Sequence, residues 1–263
     1  MRKLFLLPAL FLLWGATPAL SLSDSPYLAP GAFDSIDLLP PPPAANSDAE
    51  QRDIDGVLQA QKMSSPERVR LAEADAKVDL ARFADVLGPN FVPDKMPTVA
   101  AFFRKVGRDT GAPLGMAKDC WERPRPFQVD SAIHPPGTMQ QDTANRPGAV
   151  IANSAPHGAG SPCLLPESTA AYTYSYPSGH STFGAMTAIL LANMVPEKRA
   201  ELFARGWQYG YSRVIGGVHF PTDIESGRIE ATAIVALMMQ NPDFKTDFAA
   251  ARAELRRSLG LSQ

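Results

Sequence analysis

The sequence predicts an all-α fold, a single-domain helical bundle. Apolar residues recur at helical spacing over most of the chain after residue 46, and Ser and Asn residues at capping positions introduce these stretches. Alternating strand patterns are nearly missing. The length of 263 residues suits one domain, and 45% hydrophobic with 20% charged residues is ordinary for a globular protein.

Residues 1–21 have the form of a secretory signal peptide. Arg2 and Lys3 precede an apolar run that ends at Trp14, and small residues follow it. The run is shorter than the roughly 20 residues that a membrane-spanning helix needs. We therefore expect a periplasmic or secreted protein without stable membrane association.

Residues 22–46 contain a run of prolines from Pro40 to Pro43 and little periodicity. Such a run is stiff and extended, so we expect an N-terminal arm that lies on the surface, reaches a partner subunit or is disordered. The helical domain is then residues 47–263.

The first predicted helix begins with a capping box, Ser47 and Glu50, and the second begins at Ser64 with Glu67 three residues later. The second ends at the breaker sequence 88–90, and a cap followed by proline at Asn241 begins the last helix. The predicted helices cover 47–63, 64–87, a stretch around 99–106, 113 to near 124, 179–194, 196–211, 223–240 and the residues after 242.

Between the helices, residues 127–175 are rich in Pro, Gly, Ser, Thr and Asn. Loops of this length in a compact domain are usually functional. Cys120 and Cys163 are the only cysteines, and in an oxidising compartment either a disulfide between them or two buried thiols fits the sequence.

The net charge of −2 makes nucleic acid a poor candidate partner. The candidate catalytic and anion-binding residues are instead concentrated in three short segments. The first, 118–126, carries Lys118 and Arg125 seven residues apart, which is two helical turns if the helix continues. Taken alone, this segment also fits a solvated basic patch at a helix end.

The second segment, 176–181, places Ser178, Gly179 and His180 at the start of an apolar helix. Backbone N–H groups at a helix start bind anions, and glycine allows close approach. Taken alone, the segment equally fits an N-cap serine beside a surface histidine.

The third segment, 212–223, places Arg213, His219 and Asp223 at spacings of six and four residues. The carboxylate of Asp223 could accept a hydrogen bond from one ring nitrogen of His219 and leave the other as a nucleophile. An ordinary surface His–Asp pair is the alternative, but the preceding arginine and the pair Gly216-Gly217 make it less natural. Together, three cations and two histidines favour binding of a phosphoryl group and its transfer.

These segments resemble the phosphatidic acid phosphatase type 2 and vanadium haloperoxidase superfamily, and within it the secreted bacterial class A non-specific acid phosphatases. Every fixed position of the pattern is present at the family's spacing: Lys118 to Arg125-Pro126, Pro177-Ser178-Gly179-His180, and Ser212-Arg213 to His219 and Asp223. The spacing selects Arg125 over the neighbouring Arg123.

The resemblance implies a secreted acid phosphatase with an all-α fold that needs no metal or other cofactor. It implies catalytic roles for His219 as nucleophile, His180 as acid and then base, and Asp223 as the group that orients His219. The phosphoryl oxygens would be held by Lys118, Arg125, Ser178, Gly179 and Arg213. Substrates would be diverse small phosphomonoesters, with phosphotransfer to alcohols through the same phosphohistidine.

The resemblance also implies a homodimer or larger homo-oligomer. Two other functions remain open at this point. A vanadium-dependent haloperoxidase would share the pocket residues, and an exported phosphate- or polyanion-binding protein would explain the cations but not the two histidines.

Overall fold

The computed structural model describes residues 27–29, 31–137, 139 and 174–262, without the side chains of residues 112 and 113. Within these ranges the regular elements are helices and no β-strand occurs, so the predicted all-α fold is confirmed. The α-helices are α1 (Ser35–Leu38), α2 (Asp48–Met63), α3 (Pro66–Ala74), α4 (Ala84–Leu87), α5 (Pro97–Trp121), α6 (Pro126–Val129), α7 (Gly179–Met194), α8 (Arg199–Ile215), α9 (Pro221–Met238) and α10 (Pro242–Ser258).

Helix α7 lies at the centre of the bundle, between α8 and α9. Glycines allow these helices to approach closely. A Cβ atom at Gly206 of α8 would lie 2.5 Å from the Cβ of Ala188 and 2.7 Å from the carbonyl oxygen of Gly184, both on α7. A Cβ at Gly227 of α9 would lie 2.5 Å from the carbonyl oxygen of Ser178. The contact therefore fixes where the start of α7 meets α9.

The capping residues explain the helix boundaries. The side chains of Ser47, Ser65, Ser178 and Asn241 accept hydrogen bonds from the first turns of α2, α3, α7 and α10. The caps predicted at Ser47 and Asn241 are therefore confirmed. The start of α3 is corrected by one residue, because Ser65 is its cap and the hydroxyl of Ser64 donates to the carbonyl of Ala60 at 2.7 Å.

The predicted helix over 64–87 is wrong, because α3 ends at Ala74 and a 3₁₀ turn over Leu80–Phe83 precedes α4. The break occurs at Asp75, a fully buried carboxylate. Its oxygens accept from both terminal nitrogens of Arg205 at 2.6 and 3.0 Å, from Arg82 Nε at 3.0 Å and from the Ser212 hydroxyl at 2.8 Å. A buried carboxylate is tolerated only with such partners. These bonds hold the chain against α8 and end the helical path.

Conversely, the two helices predicted around 99–106 and from 113 are one helix, α5, whose backbone continues through Pro113. It ends where predicted, just before Pro124: Glu122 has a left-handed conformation with φ of 43°. The chain then turns towards the candidate site.

The described part of the N-terminal segment packs on the bundle, and the helical turn α1 precedes its run of prolines. Tyr27 is buried, and its hydroxyl donates to Asp247 at 2.7 Å. The buried hydroxyl of Ser35 donates to the buried Glu230 on α9. The prediction of an arm missed these contacts, since apolar periodicity does not report single buried side chains. The domain boundaries themselves stay predictions.

Residues 1–26 and 140–173 lie outside the described residues. The predicted signal peptide, most of the 127–175 loop and Cys163 fall there, so the Cys120–Cys163 disulfide stays a prediction. Among the helices that are described, none is long and apolar enough to cross a membrane.

We predict that Gly206→Ala lowers the free energy of unfolding by about 1–3 kcal/mol, because the new methyl group would overlap Ala188 and the backbone of Gly184. Urea unfolding followed by circular dichroism measures this loss. The control is Gly107→Ala on α5, where no heavy atom lies within 4 Å of the new Cβ. That variant should lose nothing and gain up to about 1 kcal/mol from helix propensity. Equal unfolding midpoints for the two variants would contradict the packing described above.

Candidate active site

The turn between α8 and α9 places His219. Its geometry depends on the carbonyl of Arg213, which accepts from the N–H groups of Val218 at 3.1 Å and His219 at 3.2 Å. Gly217 has φ of 66°, a left-handed value that glycine adopts without strain. A Cβ at Gly217 would also lie 2.7 Å from Ile133. Arg213 and His219 are thereby brought to one place, both almost fully buried.

Asp223 lies in the first turn of α9 and has two functions there. Its Oδ2 accepts from the backbone N–H of Phe220 at 2.8 Å, which caps the helix. The same oxygen lies 3.3 Å from Nδ1 of His219 and accepts from the hydroxyl of Ser175. The carboxylate four residues after His219 therefore holds the histidine and also caps α9.

The partners of His219 determine its tautomer. Arg125 Nη1 lies 3.1 Å from Nε2, and because a guanidinium can only donate, Nε2 is the unprotonated nitrogen. Nδ1 then carries the hydrogen and donates to Asp223. The lone pair of Nε2 thus accepts from Arg125, and the unprotonated nitrogen lies beside a cation that can hold an anion.

Burial is the first cause that holds the pKa of His219 well below its ordinary value. The positive charges of Arg125, Lys118 and Arg213 lower it further. The imidazole therefore stays neutral in acidic solution, although it is paired with a carboxylate.

Lys118 lies in the last turn of α5 and is buried. Its ammonium donates to the carbonyl oxygens of Tyr174 at 2.8 Å and Ser175 at 3.3 Å. Burial and the charge of Arg125 lower the pKa of Lys118 to about 7. Arg125 itself donates to the carbonyl of Val218 at 2.7 Å. The cations thus gather around His219, as predicted from the three segments.

The start of α7 meets Asp223 from the other side. The backbone N–H of Ser178 donates to the carbonyl of Asp223 at 3.0 Å, and the Ser178 side chain caps α7 through the N–H of Ser181. The Ser178 hydroxyl can still donate its hydrogen. At Gly179 a Cβ would lie 2.8 Å from Leu114 on α5, so the helix start is closely packed as well.

His180 has different surroundings. Nε2 of its ring bonds to the carbonyl of Ala76 at 2.8 Å, and the ring stacks on Tyr209 with centroids 6.1 Å apart. The hydroxyl of Tyr209 in turn donates to the carbonyl of Lys77 at 2.5 Å. The break after Asp75 therefore provides a hydrogen-bond partner of the His180 ring, whereas Arg125, Arg213 and Ser178 contact His219 or Asp223.

Sequence reasoning missed four residues of this site: Asp53, Arg123, Ser175 and Thr222. Arg123 donates to Oδ1 of Asp223 at 2.6 Å and to Asp53 at 2.7 Å. The spacing rule selected Arg125 to hold phosphate, and the structure places Arg125 against His219; the rule gave Arg123 no role. Its only signal in the sequence was the repeated Arg-Pro pair.

An all-α protein with a buried His–Asp pair ringed by cations belongs to the class that binds small oxyanions. A family model described as the PAP2 superfamily matches residues 109–247, which is more than half of the 263 residues, and the chain belongs to this superfamily.

Curated relatives agree with this assignment. The chain is 29% identical over 229 residues to an acid phosphatase of Zymomonas mobilis subsp. mobilis, covering 86% of this chain and 76% of the relative. It is 28% identical over 233 residues to a non-specific acid phosphatase of Providencia stuartii, covering 86% and 82%. Against a non-specific acid phosphatase of Salmonella typhimurium it is 28% identical over 224 residues, covering 82% and 78%. The resemblance predicted from the sequence is confirmed, and the predicted enzyme class, acid phosphatase, agrees with these names.

We predict that sulfate binding weakens above about pH 7, by up to about tenfold for each pH unit. The pKa of Lys118 is about 7 without an anion, and a bound anion stabilises the ammonium. The ammonium of Lys118 therefore contributes its full positive charge to sulfate binding below this pKa. That contribution is lost as the pH rises and the ammonium is deprotonated. Sulfate keeps its charge over this range, so calorimetric titration reports the protein alone.

The matched variant is Lys118→Arg, whose guanidinium stays charged. The fall in affinity above about pH 7 should disappear in this variant. The same pH dependence in both proteins would contradict the role of Lys118.

Proposed function

We propose that the protein is an exported acid phosphatase that hydrolyses a broad range of phosphomonoesters through a phosphohistidine on His219. The observation that carries the proposal is the state of His219. Its Nε2 is unprotonated and in contact with Arg125, and its Nδ1 is held by Asp223. A neutral nucleophile among fixed cations suits attack on a phosphoryl group.

In the first step, Nε2 of His219 attacks phosphorus, the bond from phosphorus to the ester oxygen breaks, and His180 donates a proton to the leaving alcohol. Asp223 stabilises the positive charge that develops on the His219 ring. The negative charge on the phosphoryl oxygens is held by Lys118, Arg125, Arg213, the hydroxyl of Ser178 and the N–H of Gly179.

In the second step, His180 removes a proton from water, the water oxygen attacks phosphorus, and the bond from phosphorus to Nε2 breaks. His219 is released as the neutral imidazole. An alcohol that takes the place of water would receive the phosphoryl group, so phosphotransfer follows from the same intermediate.

Activity in acidic solution follows because the mechanism uses the two histidines in different protonation states. His180 must be protonated to donate, while His219 must be neutral to attack. The low pKa of His219 satisfies the second need at acidic pH. Lys118 is charged below its pKa of about 7, so the anion site is complete under the same conditions.

The predicted signal peptide supports export, and the expected substrates are small phosphomonoesters rather than nucleic acid or membrane lipids. No group of three or more His, Cys, Asp and Glu side chains within the described ranges is arranged to hold a metal ion. Independence from metals stays a prediction that a chelator tests directly.

We predict that His219→Ala abolishes hydrolysis of an aryl phosphate at about pH 5–6 and forms no phosphoenzyme. Labelled substrate quenched in alkaline denaturant, in which phosphohistidine survives, measures the intermediate. The wild-type protein should keep full activity in chelator, be inhibited by vanadate and show no halide-dependent bromination.

The control for this experiment is His134→Ala, which removes an exposed histidine and should change nothing. Turnover that survives in His219→Ala, or that chelator removes, would rule out the proposed mechanism.

We further predict that His180→Ala discriminates between leaving groups. The turnover of alkyl phosphates should fall by about 10²–10⁴, because the alkoxide leaves only when protonated. Phosphorylation by a dinitrophenyl phosphate should fall much less, because its leaving group needs no proton. Rapid-quench kinetics with both substrates measures the two losses. Equal losses for both substrates would show that His180 is not the proton donor.

A further inference from the structure

We propose that Arg123 and Asp53 are positioning residues that hold the His219–Asp223 pair in its reactive state. This inference rests on the function proposed above. The two residues extend the pair into a buried chain of four groups that runs from His219 through Asp223 and Arg123 to Asp53.

The guanidinium of Arg123 joins the two carboxylates. Nη1 donates to Oδ1 of Asp223 at 2.6 Å, and Nη2 donates to Oδ2 of Asp53 at 2.7 Å. The group also lies over the ring of Phe220, 3.9 Å from its centroid. All three charged side chains are at most 5% exposed. Water therefore does not screen these ion pairs.

Asp53 connects this chain to helix α2. Besides Arg123, it accepts from the backbone N–H of Thr222 at 3.2 Å and from the Thr222 hydroxyl. That hydroxyl in turn accepts from Arg123 at 2.8 Å. Thr222 directly precedes Asp223, so α2 holds the first turn of α9 through two groups at once.

The division of the Asp223 oxygens explains why such a chain is needed. Oδ2 serves His219, Ser175 and the cap at Phe220, while Oδ1 contacts Arg123. The cation on Oδ1 offsets part of the carboxylate's negative charge, so less of that charge acts on His219. His219 is then oriented by a carboxylate without becoming a stronger base.

The charged groups around His219 set the direction of the expected effect. The cations are Lys118 on α5, Arg123 and Arg125 between α5 and α6, and Arg213 on α8. The carboxylates are Asp53 on α2 and, on α9, Asp223 and Glu230, of which Glu230 acts on Lys118. Loss of Arg123 removes a cation and leaves the negative charge of Asp223 acting on His219 without that offset. The pH below which His219 becomes protonated and inactive should therefore rise.

The experiment compares pH profiles of kcat/KM for an aryl phosphate. In Arg123→Gln the acidic limb should move upwards by about one pH unit, and kcat should fall by about 10–100-fold with little change in KM. Arg123→Lys should recover part of both losses, since one ammonium can contact Asp223 but cannot bridge two carboxylates. Ionisation of the substrate is the same for every variant and cancels in the comparison.

Asp53→Asn tests the direction in which the acidic limb of the pH profile moves. This variant leaves the cation on Asp223, so the acidic limb should stay in place or move downwards while kcat falls by a smaller factor. Limbs that move upwards equally in Arg123→Gln and Asp53→Asn would indicate general loosening and would overturn the proposal, as would unchanged limbs in both.

If Arg123→Gln does not fold because it leaves two buried carboxylates without a cation, the double variant Arg123→Gln/Asp53→Asn removes one charge of each sign. It should fold and still show the raised limb; a limb at the wild-type pH overturns the proposal.

The matched control is Arg228→Lys, on the same helix as Asp223 but in an exposed pair with Glu225, and its profile should equal that of the wild type. Trapping of the phosphoenzyme in each variant separates this inference from the proposed function, because only failure to trap it in the wild-type protein bears on the latter.

Discussion

The buried carboxylate of Asp223 is the constraint on which the site depends. It is fully buried, and its two oxygens together meet a helix cap, a histidine, a serine and an arginine. These partners come from three stretches of chain: residues 219–220, Ser175 and Arg123. Leaving any of them out would expose an unsatisfied charge to the interior, which is costly, so the geometry of all of them is coupled.

The cations impose a second constraint. Lys118, Arg125 and Arg213 lie close enough to lower the pKa of His219, and the charge of Arg125 also lowers that of Lys118. Such mutual repulsion weakens the unliganded site and is relieved by a bound dianion. The free energy of this relief is available for binding the phosphoryl group, and it grows in the transition state as charge spreads over the equatorial oxygens.

The sequence predicted the parts of this protein that depend on local rules. The caps at Ser47 and Asn241 follow from interactions within a few residues, and they were correct. The pairing of His219 with Asp223, four residues later, is local in the same way. The break at Asp75 and the role of Arg123 were missed because both depend on ion pairs between residues 70 to 130 positions apart. The amphipathic pattern of the sequence continues through Asp75. No residue close to Asp75 in the sequence indicates that its carboxylate pairs with a buried arginine on α8.

The two sets of long-range ion pairs hold different residues of the candidate site. The Asp75 cluster fixes the chain at Ala76, whose carbonyl holds the ring of His180, while the Asp53–Arg123 chain fixes Asp223 and through it His219. The residues proposed as proton donor and nucleophile are thus anchored by separate buried carboxylates from the N-terminal third of the chain. Separate anchors give the two histidines different surroundings, which the proposed mechanism needs, because it requires a protonated His180 beside a neutral His219.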